Sequence, residues 1–107
     1  MNGKRVETLQ KFLEKEPNDS FLKYALALEY SSHAPAEAFD LFADLISTDP
    51  EYTGTYYQFA NLLSEHGHFT KAKEVFEQGI AVLSEKGETK ALNELRSSYQ
   101  NFMIDYD

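Results

Sequence analysis

A chain of 107 residues with 42% apolar side chains can build one compact domain around a modest core. It has no cysteine, which excludes disulfides, thiolate nucleophiles and zinc–thiolate sites, and its formal charge of −8 opposes phosphate backbones and anionic membranes as partners. No apolar run approaches the roughly 18 residues of a membrane-spanning helix, and no apolar stretch follows Lys4-Arg5 as a secretory leader would require, so the expected location is the cytoplasm.

Taken in chain order, every segment reads in the helical period. Val6, Leu9, Phe12 and Leu13 form a stripe that ends at Pro17. Leu22, Leu26, Ala27 and Tyr30 form the next, over residues 20–32. Pro35 opens a segment carrying Ala38, Leu41, Phe42, Leu45 and Ile46, and Pro50 closes it. Residues 53–65 carry Tyr56, Phe59, Ala60 and Leu63. Gly67 then ends a helix, because glycine tolerates the left-handed conformation, and Thr70 is the expected N-cap of the next. In that next helix Ala72, Val75, Phe76, Gly79, Ile80 and Leu83 lie on one face. After Gly87 a last stripe runs through Ala91, Leu92, Leu95, Tyr99, Phe102 and Met103. No segment alternates with period two, so the reading is all-α with about six helices.

The charges are unevenly spread. Residues 24–70 contain no lysine or arginine and seven acids: Glu29, Glu37, Asp40, Asp44, Asp49, Glu51 and Glu65. This is either a solvated face that keeps the protein soluble or a surface for a partner segment of basic character.

The chain also repeats itself. Shifted by 34 residues, Ala38, Leu41, Phe42 and Ile46 fall on Ala72, Val75, Phe76 and Ile80. Shifted by 33, Tyr24, Leu26, Ala27 and His33 fall on Tyr57, Phe59, Ala60 and His66, and Pro17 falls on Pro50. A period of this size with two helices per unit marks a helical solenoid. On these residues the chain resembles the tetratricopeptide repeat family. Its pattern is met by Tyr56, Phe59-Ala60, Leu63, Gly67, Phe69, Ala72, Phe76 and Gly79, with Ser84 in place of the closing proline. It is met less fully by Leu26-Ala27, Tyr30, Ala38, Phe42, Ile46 and Asp49-Pro50, where Lys23 replaces the leading large residue.

The resemblance implies a right-handed α-solenoid of helix-turn-helix repeats in a single domain, residues 1–107. Residues 5–16 would be an N-terminal helix, 20–50 and 53–84 the two repeats, and 88–104 a capping helix with Lys90, Glu94, Ser97 and Asn101 outside. It is similar to small stand-alone bacterial members of the family. The implied function is non-catalytic: a scaffold that binds a peptide or protein segment in a concave groove lined by the first helix of each pair. Positions on those helices not needed for packing are Phe21, Tyr24, Leu28 and Ser31, then Tyr57, Asn61, Ser64 and Glu65. The lysine and arginine clamp by which some members hold a C-terminal carboxylate is absent.

Other chemistry is weakly signalled. His66-Gly67-His68 beside Glu65 could suggest a metal site, but His33 and His66 share a repeat position, so a turn role explains them. No phosphate loop, dinucleotide fingerprint or nucleophile elbow is present, and no cofactor is expected. If part of the final stripe, with Tyr99, Phe102, Met103 and Tyr106, were left exposed, it would mark a homodimer seam.

Overall fold

The structure, a computed structural model, describes residues 3–106. Among them lie six α-helices and no strand: α1 (Gly3–Lys15), α2 (Ser20–Tyr30), α3 (Pro35–Thr48), α4 (Gly54–Glu65), α5 (Phe69–Lys86) and α6 (Thr89–Tyr106). The chain divides into two compact units, one ending at Tyr52 and one beginning at Thr53.

In the first unit α2 and α3 form an antiparallel hairpin. The Asp19 carboxylate caps α2 by accepting from the Leu22 N–H at 3.0 Å. Pro35 occupies the first turn of α3, where a missing N–H costs nothing. The start of α2 meets the end of α3 through the Ser20 hydroxyl, which donates to the Asp49 carboxylate at 2.6 Å. Ala27 and Ala38 are fully buried between the helices, and Phe42 and Leu45 fill the joint. α1 packs on α2 through Val6, Leu9, Ala25 and Leu26, with Leu13, Leu22, Tyr30 and Leu41 around them. The Gln10 amide donates to the Tyr30 hydroxyl at 2.7 Å.

One member of the expected stripe departs from it. Phe12 is 52% exposed. Val6, Leu9 and Leu13 stand at i, i+3 and i+7, and Phe12 lies about 100° around the helix from Leu13. Both cannot face α2, and the helix turns Leu13 inward.

Lys23, where the repeat pattern has a large residue, is buried. Its ammonium reaches across the hairpin to Asp44 Oδ2 at 2.7 Å and to Thr48 Oγ1 at 3.4 Å. A long side chain thus covers apolar neighbours with its stem and ends on a charge.

In the second unit α4 and α5 form the corresponding hairpin. Tyr56, Phe59, Ala60, Leu63, Ala72, Val75, Phe76 and Leu83 are buried there. Gly67 ends α4 at φ 81°, and Gly87 ends α5 at φ 72°, both left-handed as glycine allows. His68, not Thr70, stands at the N-cap of α5 without a side-chain cap bond, so the helix begins two residues earlier than a Thr70 cap requires. Gly79 lets the helices of the hairpin touch, because a Cβ there would lie 2.5 Å from Tyr56 Cβ and 2.8 Å from Leu95 Cδ2. α6 packs on α5 and reaches α4. An aromatic series joins it to α5: Phe76 lies 5.2 Å from Phe102 and 5.5 Å from Tyr99, and Phe102 stacks on Tyr106 at 5.2 Å. Lys90, Glu94, Ser97 and Asn101 are exposed on its outer side.

Ala72 is fully buried on the face that α5 turns to its neighbours. Ala72→Leu adds three carbons to a filled joint and is expected to cost about 1–3 kcal/mol, read as a lower midpoint in urea unfolding. An unchanged midpoint would show that the joint has spare room.

Candidate functional site

A first helix with one side buried in its hairpin can offer only its remaining side. On α2 the residues facing α3 are Ser20, Lys23, Tyr24 and Ala27, and the residues facing α1 are Leu22, Ala25 and Leu26. Phe21 and Leu28 stand i, i+7 apart on what remains, 61% and 39% exposed. Two large apolar side chains are therefore held in solvent two turns apart.

Tyr24 lies between the exposed and the packed sides. Its ring meets Phe42 edge-on at 6.3 Å and Tyr52 at 5.5 Å, so it is half-buried and held from two directions. Partial burial, then Tyr24 and the Asp19 and Asp49 carboxylates, raise the Tyr52 hydroxyl above the ordinary phenol value. Ser31 turns back on its own helix: its hydroxyl donates to the Ala27 carbonyl at 2.9 Å.

On α4 the equivalent positions differ. Tyr57 is 43% exposed. Asn61 is half-buried, donating to the Tyr57 carbonyl at 2.8 Å and accepting from the Ser98 hydroxyl of α6 at 2.7 Å. Its amide is thus committed to holding α6 in place. Ser64 is half-buried, and its carbonyl receives the Gly67 N–H at 3.1 Å. Glu65 is exposed at the end of the helix. So α2 presents an apolar strip, whereas α4 presents one tyrosine beside polar groups.

The acidic middle of the chain is less bare than the sequence alone implies. Within the first unit Arg5 pairs with Glu29 and Lys23 with Asp44, and Asp49 accepts from Ser20. Both cations come from residues before position 24. Glu37 and Asp40 remain exposed on α3. In the second unit Lys71 meets Glu74 at 3.7 Å, while Glu77 accepts from the Tyr99 hydroxyl at 2.8 Å. Among the described residues no three His, Asp or Glu side chains gather where they could hold a metal ion, the His66–His68 turn included.

Two further features of the surface are apolar and exposed, one outside the positions picked from sequence and one at the end of the final stripe, where by the sequence pattern exposure would mark a homodimer seam. One is Phe12, whose exposure was readable from its place beside, not on, the Val6–Leu9–Leu13 line. The other is the end of α6, where Ile104 and Tyr106 are exposed and Phe69 of α5 lies 5.9 Å from Tyr106.

No family model matches this sequence, and no curated protein does either. Solved structures do. A tetratricopeptide repeat domain protein from Salinibacter ruber, in its solution NMR structure, is 38% identical over 80% of this chain and 88% of that one, with a TM-score of 0.74. Its crystal structure gives 37% identity over 79% of this chain and 97% of that one, with the same TM-score of 0.74. A protein from Bordetella parapertussis covers 94% of this chain and 88% of its own at a TM-score of 0.80; at 20% identity this is a likeness of fold alone.

Proposed function

Because this chain belongs to the tetratricopeptide repeat family, whose fold is that of a protein-interaction module, we propose that it is a non-catalytic adaptor that binds a segment of another protein on the free side of α2. The observation that carries this reading is the pair Phe21 and Leu28, kept in solvent on a helix whose other sides are fully used. Large exposed apolar side chains in register are what an incoming segment can bury, and burial of a few such anchors supplies most of the affinity in an interface. Within the second unit, Tyr57 offers a rigid, amphipathic contact of its own on α4. Exposed Glu37 and Asp40, in the same unit as α2, favour a segment of basic character over an acidic one. Tyr24 contributes its edge while its ring supports α3, so it is a poor site for a diagnostic substitution.

Phe21→Ser/Leu28→Ser is the appropriate variant, since both side chains are exposed and the fold does not depend on them. Partners captured by the wild-type chain from its native cell extract are expected to be lost by this variant, with circular dichroism unchanged. Recovery of the same partners by both chains would sink the reading. Exposed Ile104 and Tyr106 support a second reading, self-association through the end of α6. Light scattering across concentration distinguishes it: a dimer dissolved by Ile104→Ser favours self-association, and a monomer throughout removes it.

A further inference from the structure

We propose that Tyr24, Tyr52, Asp19 and Asp49 form a pocket at the Ser20 end of α2, and that its occupant is one arginine or lysine side chain of a segment from another protein. The proposal rests on the reading given for α2 and names the chemistry of the partner held there.

The pocket is built where the start of α2 meets the end of α3. Tyr24 and Tyr52 lie 5.5 Å apart with their rings tilted by 56°, so they meet without stacking. Both residues are half-buried, and part of each is left to solvent. The face of a tyrosine ring attracts an ammonium or guanidinium held over it. Two carboxylates stand at the same corner. Asp19 accepts the Leu22 N–H on Oδ1, and Asp49 accepts the Ser20 hydroxyl on Oδ2. Each is held in place through one oxygen, and Asp19 Oδ2 and Asp49 Oδ1 can accept from a further donor.

Charge decides the sign of the occupant. No lysine or arginine among the described residues pairs with Asp19 or Asp49. Lys23 is engaged by Asp44, Lys15 is followed by Glu16, and Glu51 adds another carboxylate next to Tyr52. Burial is the first cause of the raised Tyr52 hydroxyl, and Tyr24, Asp19 and Asp49 add to it. A corner that opposes a phenolate in this way favours a cation.

Position decides what carries the cation. Phe21 precedes Tyr24 by three residues and Leu28 follows it by four, so the three share one side of α2. A segment that buries Phe21 and Leu28 therefore passes Tyr24 and comes to the pocket. A second copy of this chain fits less well. The last turn of α6 exposes Ile104 and Tyr106 but carries Asp105 and no basic residue. α1 exposes Phe12 and Lys15, with exposed Glu14 and Glu16 on either side of that lysine. The carboxylates repel anionic membranes and nucleic acid.

The test selects random peptides displayed on phage against the full chain. The wild type is expected to enrich peptides that set an arginine or lysine beside apolar residues. One such peptide, synthesised with a fluorophore, should bind more weakly as salt is raised. Asp19→Asn/Asp49→Asn keeps both internal hydrogen bonds, and should weaken binding about tenfold and flatten its salt dependence. Tyr52→Leu should weaken it severalfold. Glutamine in place of the peptide's basic residue should weaken binding to the wild type about tenfold and leave binding to the aspartate double variant unchanged. Melting curves check that each variant is folded. Enrichment of apolar peptides without a basic residue, or unchanged binding by either variant, overturns the pocket and leaves the α2 reading standing. Selected peptides that bind Phe21→Ser/Leu28→Ser as well as the wild type, or no enrichment at all, overturn both. A dimer that both Asp19→Asn/Asp49→Asn and Phe12→Ser dissolve would give the pocket to a second copy, and would overturn the proposal too.

Discussion

Gly79→Ala is expected to lower the melting temperature by about 10 °C, although alanine is the better helix former. Alanine gains about 1 kcal/mol over glycine in a helix interior. Against this, the added Cβ would sit 2.5 Å from Tyr56 Cβ and 2.8 Å from Tyr56 Cγ and Leu95 Cδ2. Tyr56 Cβ is fixed to the backbone of α4 and cannot swing away, so α4 and α5 must part. Tyr56 and Leu95 are both fully buried, and parting the helices loosens contacts on both. Overpacking of this kind costs about 3 kcal/mol, leaving a net loss of about 2 kcal/mol, which for a domain of this size is about 10 °C. Gly3→Ala is the control. A Cβ there meets nothing within 4 Å, and the change should be neutral or slightly stabilising. Calorimetry reads both, and a rise in melting temperature for Gly79→Ala would refute the close-contact account of this hairpin.

At the matching place in the first hairpin the expected result inverts the usual rule about removing charge. Asp44→Ala should destabilise by about 1–3 kcal/mol, whereas Lys23→Met should change stability by less than about 1 kcal/mol. Lys23 is buried, and its ammonium has Asp44 at 2.7 Å and the weaker Thr48 hydroxyl contact at 3.4 Å. Deleting the carboxylate leaves a buried cation poorly compensated. The figure stays below that for a fully enclosed pair because Asp44 is half-exposed. Methionine keeps the length of the stem and removes the cation, and the half-exposed carboxylate it leaves behind is hydrated. In the double variant the harm of Asp44→Ala should vanish. Urea unfolding of the four chains forms the cycle; additivity of the two changes would show that the pair is not coupled.

These two positions also show what could be read without coordinates. Tyr56 matches Lys23 under the 33-residue shift, and Gly79 matches Leu45 under the 34-residue shift. The shifts cannot say that one hairpin sets a bulky ring over a bare backbone and the other joins its helices by an ion pair between Lys23 and Asp44. The helices themselves were legible because local periodicity and the prolines and glycines decide them. The candidate site was legible only in part. Tyr24 and Tyr57 are equivalent in register, yet Tyr52 and Phe42 hold one and the other stands in solvent. Asn61 matches exposed Leu28, yet Ser98 engages it. Tyr52 lies in the chain after the repeat and Ser98 in the closing helix, both outside the hairpin's own period, while Phe42 lies within it. Phe12 is different: its exposure follows from helix geometry, once Val6, Leu9 and Leu13 are recognised as the line that packs.

Closing one hairpin by charge and the other by shape makes the two units answer to different solvents. Chloride salts weaken a half-exposed ion pair by screening it and leave a steric fit untouched. Sulfate strengthens apolar burial, the greater part of the second hairpin's joint. Heating moves the balance the other way, because the dehydration cost of an ion pair falls as temperature rises. Chloride screening and heat therefore act on the Lys23–Asp44 joint of the first half in a way that has no counterpart at the Tyr56–Gly79 joint of the second.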